Sequence, residues 1–193
     1  EKGEARPEGQ EKGTISKVGV IGAGFMGAGV AYVSAMAGID VVLIDRDQEG
    51  AGKGKQFAID EQAKRVKRGK TTQEKADAIT DRIEATTDYA KLKNVDLIVE
   101  AVFENSELKA KITGLAEDVI GEDAVFGSNT STIPITDLAK ASKRAENFIG
   151  IHFFSPVHKM NLVEIIKGEK TSDYAISRAI DFVTRIRKCP IVV

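Results

Sequence analysis

Two histidines occur in this chain, and one of them, His152, lies in an apolar run, GIHFF, just ahead of Ser155-Pro156. A second apolar run, LVEII, carries Glu164 at its centre, where an unpaired carboxylate is costly to bury. An imidazole facing a carboxylate has a fixed tautomer and a stabilised protonated form, which suits a group that takes a proton from an alcohol. Taken singly, His152 also fits a satisfied core residue and Glu164 the solvent face of an edge strand. The chemistry requires the two to meet. Ser128-Asn129-Thr130-Ser131 follows the apolar stretch AVFG. These four small polar residues can cap the next helix, line a cleft with donors and acceptors, or do both. His158, between Val157 and Lys159, has no partner in the sequence and receives no role.

A second group of residues concerns phosphate rather than protons. Gly22-Ala23-Gly24-Phe25-Met26-Gly27 matches GxGxxG, with the strand-like KVGVI before it and an alanine-rich helical stretch behind it. In this pattern Gly22 permits a tight turn, Gly24 lets backbone approach a pyrophosphate, and Gly27 lets helix and strand pack closely. Asp45 ends the next strand-like run, VVLID, where a carboxylate accepts hydrogen bonds from ribose hydroxyls and repels a 2'-phosphate. The cofactor so predicted is NAD. Arg46 beside it is the one residue that points toward NADP.

Elements that would position these residues alternate along the chain, as in an α/β fold with a doubly wound, mostly parallel Rossmann-type sheet. Strands are expected at 17–22, 41–45, 95–102, 124–129, 148–154 and 161–168, with a last one at the end. Helices are expected at 25–37, 106–120, 134–142 and 171–188. Residues 48–84 break at Arg68-Gly69-Lys70-Thr71 and read as a helical-hairpin insertion, its second helix capped by Thr71 or Thr72. Residues 1–16 are polar, Gly-rich and free of aromatics, so they read as a disordered linker, and 17–193 as the folded domain. Both ends suggest a domain excised from something longer.

Composition sets limits. The 28 basic and 29 acidic residues nearly cancel, which argues against nucleic acid as a partner. No apolar run approaches the ~20 residues of a membrane span. Cys189 is the only cysteine, so there is no internal disulfide and no cysteine metal site. No metal is expected, and the chain reads as cytoplasmic.

The segments KVGVIGAGFMGAGVA, VEAVFEN, GSNTS and HFFSPVHKMNLVEII together resemble the NAD-binding domain of L-3-hydroxyacyl-CoA dehydrogenases, in that family's order and spacing. The resemblance implies that His152 is the catalytic base, Glu164 its partner and Ser131 a hydrogen-bond partner of the substrate 3-oxygen. It places Asn129 near the nicotinamide, and Glu104 and Lys109 at cofactor-contacting positions beside Gly22, Gly24, Phe25, Met26, Gly27 and Asp45. An acyl-CoA is the implied substrate; Lys64, Arg65, Lys67 and Arg68 either face its phosphates or form a solvated charge run. The polar N-terminal segment resembles the junction after a hydratase domain in multifunctional fatty-acid oxidation proteins. A helical C-terminal domain, which completes the active site and supports dimerisation in the family, is absent from these 193 residues. Homodimer or multienzyme assembly would then run through other parts of a parent protein, and the fragment alone would be inactive or weakly active. The alternatives are another β-hydroxyacid dehydrogenase and a non-catalytic NAD-binding relative.

Overall fold

The computed structural model describes residues 6–193. Its strands are β1 (Lys17–Ile21), β2 (Asp40–Ile44), β3 (Ile83–Thr86), β4 (Leu97–Glu100), β5 (Val125–Ser128), β6 (Phe148–Phe153), β7 (Leu162–Ile166) and β8 (Cys189–Val192). Its α-helices are α1 (Phe25–Met36), α2 (Gln48–Lys67), α3 (Gln73–Thr80), α4 (Ser106–Glu117), α5 (Ile135–Leu138) and α6 (Asp173–Arg185). The strands form one sheet in the order β3-β2-β1-β4-β5-β6-β7-β8, parallel throughout except for the antiparallel pair β6–β7.

Side chains alternate between the two faces of each strand, so a sheet covered on both sides needs apolar residues at every position. β1, β4 and β5 meet that demand. Val18 and Val20, Leu97 and Val99, and Val125 join the core under α1 and α6. Ile21, Ile98 and Phe126 join a second core that includes Ala116 of α4 and Leu138 of α5. Strand order reverses between β1 and β4, and there the chain leaves the sheet in opposite directions and opens a crevice at the strands' carboxyl ends.

The helix starts are set by side-chain caps. Asp47 accepts from Gly50 N at 2.7 Å to begin α2, and Thr72 accepts from Lys75 N at 3.3 Å to begin α3. The expected hairpin is therefore present, but its last residues return to the sheet as β3, beside β2. α2 and α3 thus form the crossover between two neighbouring strands. The four residues of β3, IEAT, are too few and too polar to show in the sequence; only Ile83 is buried. The helix expected at 134–142 is a single α-turn, α5, followed by a 3₁₀ turn over Ala139–Ala141.

Residues 1–5 of the expected linker lie outside the described residues. Residues 6–16 carry no regular structure but are fastened to the domain, unlike a free linker. Gly13 N donates to Asp181 at 3.0 Å, Arg6 pairs with the same carboxylate, Ile15 is buried, and Ser16 N donates to Asp96 at 2.7 Å. Asp181 and Asp96 are far away in sequence, so composition alone could not reveal the anchorage.

The turn after β1 is sterically determined at two of its three motif glycines. Gly22 has φ 97°, and a Cβ there would sit 2.6 Å from the carbonyl oxygen of Ala101. A Cβ on Gly27 would sit 1.7 Å from the carbonyl oxygen of Gly22. Gly27→Ala is expected to destabilise the domain by about 1–3 kcal/mol or more, since backbone must move to relieve the clash. An unchanged urea midpoint would contradict this account of the turn.

Candidate active site

The third glycine of the motif differs from the other two. Gly24 stands at the N-cap of α1 with φ −67°, and a Cβ there would meet nothing within 4 Å. Neither strain nor contact within the chain calls for glycine at this position. Asp45, at the end of β2, accepts from Ala23 N at 2.9 Å and from Arg46 N at 2.7 Å, which holds its carboxylate against the glycine turn. The Arg46 side chain is exposed and turns to Asp47, with Nε 3.2 Å from the carboxylate. Phe25 is exposed at the mouth of the turn, and Met26 packs partly against the core beneath it.

At the ends of β4 and β5, two carboxylates organise the crevice. Glu100 is fully buried and accepts from Lys109 Nζ at 2.7 Å, Ser128 Oγ at 2.8 Å and Val102 N at 3.0 Å. Glu104 Oε1 accepts from the Thr130 hydroxyl, from Ser131 N at 3.2 Å and from Thr132 N at 3.3 Å. Its other oxygen lies 3.6 Å from Lys109 Nζ. Lys109 is itself only 1% exposed. The structure places it behind the rim of the crevice, paired with Glu100 and close to Glu104. Tyr89, in the 3₁₀ turn before β4, feels the same charges: burial first, then Asp45 and Glu100, pushes its phenol up to about 12. It therefore stays a neutral hydroxyl at physiological pH.

β6 and β7 bring the acid–base candidates together. In their antiparallel register His152 stands directly opposite Glu164, and His152 Nδ1 lies 2.9 Å from Glu164 Oε2. With Glu164 ionised, Nδ1 carries the proton and donates it, which leaves Nε2 as the free acceptor. Phe154 packs edge-on against the imidazole at 4.8 Å between ring centroids. Asn129 ties this strand to its neighbour: its N donates to Glu100 O at 2.8 Å, and its side-chain oxygen accepts from Phe153 N at 2.8 Å. That leaves the Asn129 side-chain amine as an available donor. Ser131 is exposed beside it, and its hydroxyl takes no partner in the hydrogen bonds of the described residues.

Gly22, Gly24, Asp45, Glu104, Asn129, Ser131 and His152 thus converge on the carboxyl edge of the parallel strands. Glu100 went unrecognised in the sequence. The signal available was a second acid in VEAVFEN, four residues before Glu104 and closing an apolar run. Also unrecognised was a cavity of about 400 Å³ between the ends of α1, α2 and α6, where Arg65, Arg68, Lys70, Lys159, Arg187 and Lys188 face a single acid, Glu61. Of the four basic residues expected to face phosphates, Arg65 and Arg68 line this cavity, whereas Lys67 and Lys64, the latter paired with Glu61 at 2.6 Å, are not among its lining residues. His158, to which the sequence gave no role, packs against Tyr32 and Phe57 at this cavity, its Nε2 3.9 Å from Glu61.

A doubly wound sheet with a glycine turn, an acid after β2 and a crevice at the β1/β4 reversal defines a Rossmann-type dinucleotide-binding domain. Residues 17–193 match the family described as 3-hydroxyacyl-CoA dehydrogenase, NAD binding domain, and the chain belongs to that family. It is 48% identical over 179 residues to the fatty acid oxidation complex subunit alpha of Idiomarina loihiensis, a match covering 93% of this chain and 25% of that relative. The chain thus spans about a quarter of the length of that relative. Its fold superposes on (S)-3-hydroxybutyryl-CoA dehydrogenase from Ralstonia eutropha with TM-score 0.89 at 38% identity, covering 93% of this chain and 64% of the other. The dehydrogenase part of multifunctional enzyme 1 from C. elegans gives TM-score 0.83 at 32% identity, covering 95% and 42%. Among the described residues no helix is long and apolar enough to cross a membrane.

The Glu104 carboxyl is drawn two ways. Burial raises it, but the Thr130 hydroxyl, the Lys109 charge and the Thr132 amide and hydroxyl outweigh that and hold it below its ordinary 4.5. A depressed carboxylate contributes stability that is present above the unfolded value and lost as pH falls through the folded one. The amides of Ser131 and Thr132 are accordingly expected to stay protected at pH 4.5 and to lose protection only at lower pH. Loss at or above pH 4.5, followed by NMR-detected exchange, would refute the anchoring role of Glu104.

Proposed function

We propose that this domain is the NAD-binding, proton-transferring half of a 3-hydroxyacyl-CoA dehydrogenase, which converts an L-3-hydroxyacyl-CoA and NAD+ to a 3-ketoacyl-CoA, NADH and a proton. The observation that carries this reading is the His152–Glu164 pair, held at 2.9 Å on the same strand edge as the glycine turn. A base next to a dinucleotide crevice is what oxidation of an alcohol needs.

The residues fit the cofactor. Open space over Gly24 admits a pyrophosphate against the amides that begin α1, and Asp45 lies where ribose hydroxyls would reach it. When bound, the nicotinamide supplies the hydride acceptor. His152 Nε2 takes the proton of the substrate 3-hydroxyl, and Glu164 holds the ring in position and balances the imidazolium charge. The Ser131 hydroxyl hydrogen-bonds the 3-oxygen, and the Asn129 amine orients the nicotinamide side of the crevice. Glu104 keeps the loop that carries both in place. The basic cavity at the end of α2 receives the phosphates of coenzyme A. The remaining catalytic and acyl-binding groups belong to further parts of a cytoplasmic, multifunctional chain like the Idiomarina relative, through which assembly would also run.

Two measurements test this reading. The domain is expected to bind NADH at least about tenfold more tightly than NADPH, a difference of about 1.4 kcal/mol. Asp45→Ala should erase that preference in a fluorescence titration, and equal affinities in the unaltered chain would remove Asp45 from the site. In a chain extended by the C-terminal region of its relatives, His152→Gln should lower kcat with acetoacetyl-CoA by about 10²–10⁴-fold while NADH affinity stays put. Undiminished turnover would refute the base assignment, and equal activity on acetoacetate would refute the coenzyme A thioester as substrate.

A further inference from the structure

The segment 154–161 joins β6 to β7 and so separates His152 from Glu164 along the chain. It has no helix or strand of its own, yet it is fastened along its length. The buried Val157 side chain seats on α1 over Gly29, where a Cβ would come within 2.8 Å of the Val157 Cβ. Asn161 O accepts from Cys189 N at 2.8 Å. His158 packs against Tyr32 and Phe57, Lys159 N and Met160 N donate to Pro156 O, and Lys188 adds a charged clamp: its Nζ donates to Val157 O at 2.6 Å and to Met160 O at 2.5 Å.

Lys188 is aimed by the turn that ends α6. Arg187 takes φ 61°, an uncommon conformation for a residue with a side chain. Arg187 N donates to Thr184 O at 3.0 Å, and Lys188 N to Val183 O at 3.0 Å, the paired bonds of a Schellman turn. The chain then enters β8, whose first residue, Cys189, pairs with Leu162 at the start of β7. Lys188 therefore leaves a rigid corner directly beside the segment that it holds. Burial keeps the ammonium below the ordinary lysine value, so water solvates it poorly, and the two carbonyls stand in for that water.

We propose that Lys188 is a positioning residue for proton transfer: by stapling the carbonyls of Val157 and Met160 it fixes the β6–β7 connection and with it the register that sets His152 against Glu164. The inference rests on His152 as the base. The carboxylate fixes the ring, the register fixes the carboxylate, and Lys188 fixes the connection that sets the register. Its ammonium is engaged with this chain's own carbonyls, which distinguishes it from Arg65 and Arg68 across the same cavity.

The test uses Lys188→Met and Lys188→Arg. In the present chain, whose only histidines are His152 and His158, Lys188→Met should speed amide exchange over 157–163 by about tenfold or more and shift the His152 ring signals, with exchange in β1 and β4 unchanged. Lys188→Arg, which keeps a cationic donor, should restore both. In the extended, active chain Lys188→Met should lower kcat by about tenfold with KM for NADH within twofold. If Lys188→Met does not fold, Lys188→Gln is measured in its place and should show the same changes. Unchanged exchange and unchanged His152 signals would overturn the staple. A loosened segment with undiminished kcat, where His152→Gln is inactive, would overturn its part in proton transfer. Full activity in His152→Gln would instead mark failure of the base assignment.

Discussion

A fully buried charge has to be answered where it stands, and in this domain that charge is Glu100. Its carboxylate ends β4 beside the crevice and draws in Lys109 from α4, the Ser128 hydroxyl from β5 and the amide of Val102. Removing one partner from such a group typically costs about 3–5 kcal/mol, so these elements are not free to drift apart. The rim is built outward from this point. Lys109 lies near Glu104, Glu104 gathers the amides of Ser131 and Thr132 and the hydroxyls of Thr130 and Thr132, and Asn129 bonds both the Glu100 carbonyl and the Phe153 amide. One buried carboxylate thereby ties the ends of β4 and β5 to α4, and Asn129 carries the connection on to β6.

The reversal of β7 is the second constraint. All other neighbours in the sheet run parallel, and a parallel partner for β6 would need a crossover to bring it into place. The antiparallel return places Glu164 directly across from His152, where opposed side chains stand close enough to bond. A slip of one residue would turn Glu164 to the other face of the sheet. The eight-residue connection, its contact with α1 and its bonds to Lys188 are consequently tied to the geometry of the pair.

Much of the fold could be read from residue patterns because the signals were local. The glycine turn, the cap of α3 at Thr72 and the helix α6 each depend on neighbours within a few residues, and each stands where expected. β3 escaped because an edge strand of four residues has one buried position and no periodicity to detect. The segment 6–16 was misread as unanchored because its partners, Asp96 and Asp181, belong to other elements. The depth of Lys109 could not be read: nothing in its neighbours along the chain says that Glu100 lies beside its ammonium.

The sequence by itself determined the class of fold, the dinucleotide cofactor and the family, and offered His152 and Glu164 as the acid–base candidates, because each rests on spacing along the chain. Which acid serves which partner was decided only in three dimensions. Glu164 meets His152 through a strand reversal, Glu100 and Glu104 share Lys109 behind the rim, Glu61 faces six cations across a cavity, and Asp181 receives the N-terminal segment. The physical reason is common to all four. A carboxylate's role depends on which charges and donors surround it once water is excluded, and that company is assembled from elements distant in the chain.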